Sequence, residues 1–80
     1  MRAKVYVTPR PEVLDPQGEA VKRGLLGLGF AEIVGVRVGK YLEIELETND
    51  RALAEQRVHE MCVALLANPV VEEYRFEVEP

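Results

Sequence analysis

Apolar and polar residues alternate from the second residue to the eighth. Ala3, Val5 and Val7 share one face, and Lys4, Tyr6 and Thr8 share the other. A period of two over a short run predicts a half-buried strand. Thr8-Pro9-Arg10-Pro11 ends it, because proline fixes φ and has no N–H for a ladder. An extended loop follows to Leu14. At Asp15-Pro16 the period changes: Val21, Leu25 and Leu28 fall on one helical face, with Glu19, Lys22 and Arg23 opposite. Asp15 suits the cap, Pro16 the first helical position and Gly29 the stop. Gly24 lies at the edge of the apolar face. An interior glycine costs about 1 kcal/mol relative to alanine, so its position predicts a close approach of this helix to a sheet. Leu26 projects among the charges, either as an ordinary exposed leucine or as a contact with another chain.

Two further strand runs are predicted at 32–38 and 40–47. Val34, Val36 and Val38 alternate in the first. Leu42, Ile44 and Leu46 alternate in the second, with Glu43, Glu45 and Glu47 outward, and Gly39-Lys40 reads as the hairpin turn between them. Thr48-Asn49-Asp50 caps a second helix with the stripe Leu53, Ala54, Val58, Met61 and Leu65. Asn68-Pro69 stops it, because a residue before proline avoids the helical region. The last strand, 70–79, sets Tyr74, Phe76 and Val78 against Glu73, Arg75, Glu77 and Glu79. The predicted fold is a single α+β domain over 1–80, in the order β-α-β-β-α-β, with both helices on one face of the sheet. The other face stays open, carrying Tyr6, Tyr41, Lys4, Arg37 and Arg75 among the glutamates, and its surface or edges are natural sites for oligomerisation.

Composition narrows the function. An 80-residue chain buries only about 60% of its unfolded surface, so its core is thin and self-association is an expected support. A net charge of −4 argues against a nucleic-acid binder, which needs a basic footprint. One cysteine excludes an intrachain disulfide and suits a reducing cytoplasm. The N-terminal residues alternate and do not read as a secretion signal.

Candidate chemistry is sparse. His59 lies at the flank of the second helix's stripe, solvated or facing a partner. Cys62 lies at the stripe's edge, and a buried thiol acts as a small hydrophobe unless a base or cation activates it. Two such residues do not make a metal site. The glutamate row reads as a solvated face answered by basic residues on neighbouring strands. Gly24-x-x-Gly27-x-Gly29 falls within or at the end of a helix and lacks the lysine-threonine ending of a phosphate loop. The central strands lack the paired aromatics of an RNA-recognition sheet. No self-contained active site emerges, which favours binding or assembly over catalysis by the isolated chain.

Longer strings carry more. Val5-Tyr6-Val7-Thr8 leads through Pro11 to Val13-Leu14-Asp15-Pro16-Gln17-Gly18. Then come Leu28-Gly29-Phe30, Val36-Arg37-Val38-Gly39-Lys40-Tyr41, Cys62-x-x-Leu65-Leu66-Ala67-Asn68-Pro69-Val70 and Glu73-Tyr74-x-Phe76-Glu77. In order and spacing, over nearly the whole chain, these resemble the PurS family, the small subunit of phosphoribosylformylglycinamidine synthase. The resemblance implies a cytoplasmic complex with a PurL-type synthase subunit and a PurQ-type glutaminase subunit. That complex uses glutamine and ATP with magnesium to convert formylglycinamide ribonucleotide to the formylglycinamidine ribonucleotide in purine synthesis. It further implies that this subunit has no catalytic residue, metal or cofactor of its own, bridges the other two as a dimer or tetramer, and supports ammonia transfer. Cys62 is then not the glutaminase nucleophile. The expected partner contacts are Arg37, Gly39, Lys40 and Tyr41 at the turn, and Asp15, Pro16, Gln17 and Gly18 at the start of the first helix. The β-α-β-β-α-β order also fits an amino-acid-sensing module of the ACT type, which would bind a small metabolite between copies. A purely structural oligomer, binding neither metabolites nor subunits, is the third reading.

Overall fold

The computed structural model describes all 80 residues, Met1–Pro80. Three strands and two helices form in the order β1 (Arg2–Pro9), α1 (Pro16–Gly27), β2 (Lys40–Glu45), α2 (Arg51–Met61) and β3 (Glu72–Glu79). The α+β class read from the sequence holds. The sheet order is β2-β1-β3, with β1 antiparallel to both neighbours. The most regular alternation in the chain therefore lies at the sheet's centre. Ala3, Val5 and Val7 are fully buried, and Val5 stands between Leu42 and Phe76.

The core is these three residues together with Ala54, Val58, Cys62, Ala67 and Val78. α2 lies over it, tied to β3 at two points. The Arg51 guanidinium donates to the Val78 carbonyl at 2.6 Å, and Tyr74 Oη and His59 Nδ1 share a hydrogen bond at 3.0 Å. The helix starts where Asp50 caps it, its carboxylate accepting from the Leu53 N–H. Its end departs from the predicted stripe. Residues Cys62–Leu66 form one π-turn, closed by the Ala67 N–H on the Cys62 carbonyl at 3.0 Å. The wider turn rotates the side chains after Met61. Leu66 and Ala67 are brought toward the core, and Leu65, predicted to face inward, is 83% exposed.

Two other expectations are corrected. Residues 32–38 do not form a strand, and Gly39-Lys40 is not a hairpin turn. Gly39 presses on the end of β1, so closely that a Cβ there would stand 2.2 Å from the Val7 carbonyl oxygen. Lys40 then pairs with Val7. The chain thus joins β2 over the end of β1 rather than folding back along β2's open edge. The Val38 N–H is spent on the Asp15 carboxylate instead of a ladder. The second correction concerns α1. Asp15, Pro16 and Gly29 (φ +99°) bound the helix as predicted. Its only buried residue, however, is Gly18, and Val21 and Leu28 are 44% and 77% exposed. A Cβ at Gly24 would meet nothing within 4 Å, so within the chain this glycine approaches no sheet. α1 and residues 28–38 form an arm extending away from the sheet. The chain's extents are 48 × 26 × 14 Å and its radius of gyration is 16.0 Å, against about 12 Å for a compact chain of this length.

Candidate functional site

The two stretches singled out in the sequence, Asp15–Gly18 and Arg37–Tyr41, meet at the base of the arm. Asp15 joins them. One carboxylate oxygen accepts from the Gly18 N–H at 3.0 Å, and the other accepts from the Val38 N–H at 2.9 Å. These two backbone donors, with the nearby Arg37 guanidinium, hold its carboxyl below the usual carboxylate range. Gly18 lies against the returning chain, where a Cβ would stand 2.3 Å from the Val36 carbonyl oxygen. Pro16 and Gln17 are exposed.

The turn residues divide into anchors and surface. Gly39 is a packing residue. Lys40 Nζ donates to the Leu66 carbonyl at 3.2 Å, satisfying an oxygen of the π-turn. Beside it, Arg10 donates twice to the Pro69 carbonyl, at 3.1 and 2.7 Å. Arg37 lies 3.9 Å from Glu73, both half-exposed, which contributes little to stability. Tyr41 faces the open side of the sheet and donates to Glu43 at 2.9 Å. Burial by its neighbours and the Glu43 charge push its phenol up to about 12.

Tyr41 belongs to a row that crosses the sheet. Its ring centroid is 5.1 Å from that of Tyr6, and the Arg75 guanidinium lies 3.9 Å over the Tyr6 ring. The register that pairs Tyr6 with Tyr41 on one side and Arg75 on the other builds this row. Arg75 was visible in the sequence only as one of several outward charges. Its place on Tyr6 needed the register. Stacked aromatics with arginine are well suited to protein contacts. A cleft of about 270 Å³ beside the row is lined by Tyr6, Thr8, Glu73, Tyr74 and Arg75. Below it, Lys4–Glu79 (3.4 Å) and Arg2–Glu45 (3.6 Å) answer the glutamates with cations.

Groups that could carry chemistry are dispersed. Cys62 is buried and free, and burial pushes its thiol up. His59 is on the other side of the sheet from Tyr41, engaged with Tyr74. No three of the His, Cys, Asp and Glu side chains gather as metal ligands, and no helix is long and apolar enough to cross a membrane.

The class these features define is a small α+β domain: a three-stranded antiparallel sheet with one covering helix, a projecting arm and an open face of tyrosines and mixed charges. Residues 2–80 match the family model described as PurS, phosphoribosylformylglycinamidine (FGAM) synthase. The chain belongs to the PurS family, the small subunit of an enzyme of purine biosynthesis. It is 52% identical over 75 residues to phosphoribosylformylglycinamidine synthase subunit PurS of Synechocystis, covering 94% of this chain and 75% of that one. The crystal structure of Bacillus subtilis PurS superposes with a TM-score of 0.87 at 49% identity, covering 99% and 98% of the two chains. A chain of the PurLQS structure from Thermotoga maritima superposes with a TM-score of 0.86 at 34% identity, covering 95% and 93%.

Proposed function

We propose that this chain is a non-catalytic subunit that joins a PurQ-type glutaminase to a PurL-type synthase. Ammonia released at the first would then reach formylglycinamide ribonucleotide on the second. The observation that carries the reading is the likeness, along nearly the whole chain, to a component of the Thermotoga maritima PurLQS assembly. The dispersed chemistry of the chain supports it. In this reading glutamine and magnesium-ATP are used on the larger subunits, within the cytoplasm, and this chain holds no cofactor. Ammonia in transit is lost if water protonates it or carries it away, so a subunit that closes the gap between two sites serves the reaction without chemistry of its own.

The base of the arm is the proposed contact. Arg37, Lys40 and Tyr41 present charge and an aromatic ring beside a rigid anchor, and Pro16 and Gln17 are exposed at the start of α1. Asp15, Gly18 and Gly39 shape that surface from beneath. The test is reconstitution with the synthase and glutaminase subunits. Glutamine-dependent synthesis should require this chain, whereas synthesis from ammonium chloride by the synthase subunit should not. Glutamine-dependent turnover that persists at full rate without the chain would overturn the proposal. Replacing both Lys40 and Tyr41 by alanine should keep the circular dichroism of the fold and weaken assembly. Undiminished assembly by that variant would remove the contact assignment.

A further inference from the structure

Two neighbouring cross-strand pairs on the open face of the sheet enclose a cleft outside the base of the arm. The register of β1 with β3 sets Tyr6 opposite Arg75 and Thr8 opposite Glu73. Residues two apart on a strand share a face, so these four side chains stand on the same side of the sheet. They line a space of about 270 Å³, with Tyr74 between the two β3 residues. Each brings different chemistry. The Tyr6 ring is an apolar wall, and the Arg75 guanidinium lies 3.9 Å over it. Thr8 offers a hydroxyl and Glu73 a carboxylate.

These groups have capacity left over. Tyr6 Oη, Thr8 Oγ1 and the Glu73 carboxylate enter none of the chain's side-chain hydrogen bonds. Arg75 spends Nη1 on Glu77 at 3.3 Å, leaving Nε and Nη2 free. Glu73 meets Arg37 through one oxygen at 3.9 Å, beyond hydrogen-bond length. An exposed pair of that kind is weak and yields to a ligand at little cost.

The placement of the charges selects what fits. Arg75 and Glu73 are two residues apart on β3, about 7 Å along the strand. A molecule seated between them needs an anionic group toward Arg75 and a cationic group toward Glu73, a short distance apart. An α-amino acid carries both on one carbon. Its side chain would then lie along the Tyr6 ring and the Thr8 hydroxyl. Size sets a second limit, because sites for drug-sized ligands occupy about 300–1,000 Å³ and this cleft is smaller. A nucleotide is too large, and its phosphates would meet Glu73 and Glu77. A second carboxylate on the ligand would meet the same repulsion.

We infer that this cleft binds a neutral α-amino acid as its zwitterion, with the carboxylate on Arg75 and the ammonium on Glu73. The inference stands on the cleft and goes beyond the subunit reading. That reading supplies the probe, because glutamine is the amino acid the proposed complex consumes.

NMR titration of the full chain with L-glutamine tests it. Saturable shifts should centre on Tyr6, Thr8, Glu73 and Arg75. N-acetyl-L-glutamine lacks the ammonium and L-glutamate adds a carboxylate, so each should bind at least about tenfold more weakly. Glu73→Gln and Arg75→Gln, both at exposed positions, should keep the circular dichroism of the fold and weaken glutamine binding by about the same factor. Shifts that do not saturate, or that centre elsewhere, would overturn the inference. So would undiminished affinity in either variant, or equal affinity for N-acetyl-L-glutamine. Each of those results leaves the glutamine-dependence assay standing, and failure of that assay leaves the titration of the isolated chain unaffected.

Discussion

Asp15 accepts a hydrogen bond from the Val38 N–H at 2.9 Å, closing a loop of 23 residues in sequence, while its other oxygen caps α1 at Gly18. One carboxylate thus sets both where the arm starts and where it returns. Replacement by alanine removes both bonds and should lower the thermal midpoint. Asp15→Asn keeps one acceptor oxygen and puts an NH2 donor where the other stood, so it can retain only one of the two bonds and should lie between. Because the folded carboxyl titrates below 3.8, its contribution is present above that unfolded value and is lost as pH falls through the lower folded one. Wild type should therefore lose stability below about pH 4 along a slope that D15N lacks, as read by urea titration at a series of pH values.

Gly18 and Gly39 are chosen by space rather than by φ. A methyl at Gly39 would stand 2.2 Å from the Val7 carbonyl oxygen, and one at Gly18 would stand 2.3 Å from that of Val36. Backbone cannot move aside cheaply, so G39A and G18A should each destabilise by about 1–3 kcal/mol. Denaturant unfolding checks both. Values within a few tenths of wild type would show that the contacts relax.

Val58 is the only large residue of α2 buried completely against the sheet. Val58→Ala should cost about 2 kcal/mol in lost transfer and cavity energy. Leu65→Ala, one turn past the α-helix, should be nearly neutral because the π-turn points Leu65 outward. Equal losses at the two positions would mean that the helix continues in α form to its end.

Cys62 should behave as a buried hydrophobe. Its thiol is raised above the ordinary value, so at pH 8 it is protonated and enclosed. Ellman's reagent should react with it only after unfolding in guanidinium. A Cys62→Ala chain, once folded, should support glutamine-dependent synthesis in the reconstituted complex. Loss of that activity with assembly intact would give the thiol a role it lacks here.

Tyr41 should ionise well above the ordinary tyrosine range. Spectrophotometric titration should show one phenol near pH 12, absent in Tyr41→Phe. A Tyr41 that titrates with an ordinary tyrosine midpoint near 10 would show that Glu43 does not hold its proton.

Local signals were legible where a single residue's chemistry suffices. Asp15-Pro16 and Asp50 marked helix starts, Gly29 a stop, and the β1 alternation the centre of the core. Strand 32–38 was read from a valine alternation that has no partner strand within the chain, because Val38 is bonded to Asp15 instead. The proposed contact residues were found as two separate strings, and only the fold brought them to one place. The Tyr41–Tyr6–Arg75 row was not legible as a row, since it depends on which residues of three strands stand side by side.

Periodicity, caps and family strings by themselves determined most element types, most boundaries and the family. These depend on local backbone preference and side-chain type, which a linear string contains. Tertiary structure alone decided the sheet order, the π-turn that exchanges Leu65 for Leu66, and the outward course of α1. Each turns on competition for a finite surface or a single donor. The Val38 N–H can be donated to the Asp15 carboxylate or to a ladder, but not to both, and one helix cannot cover three strands.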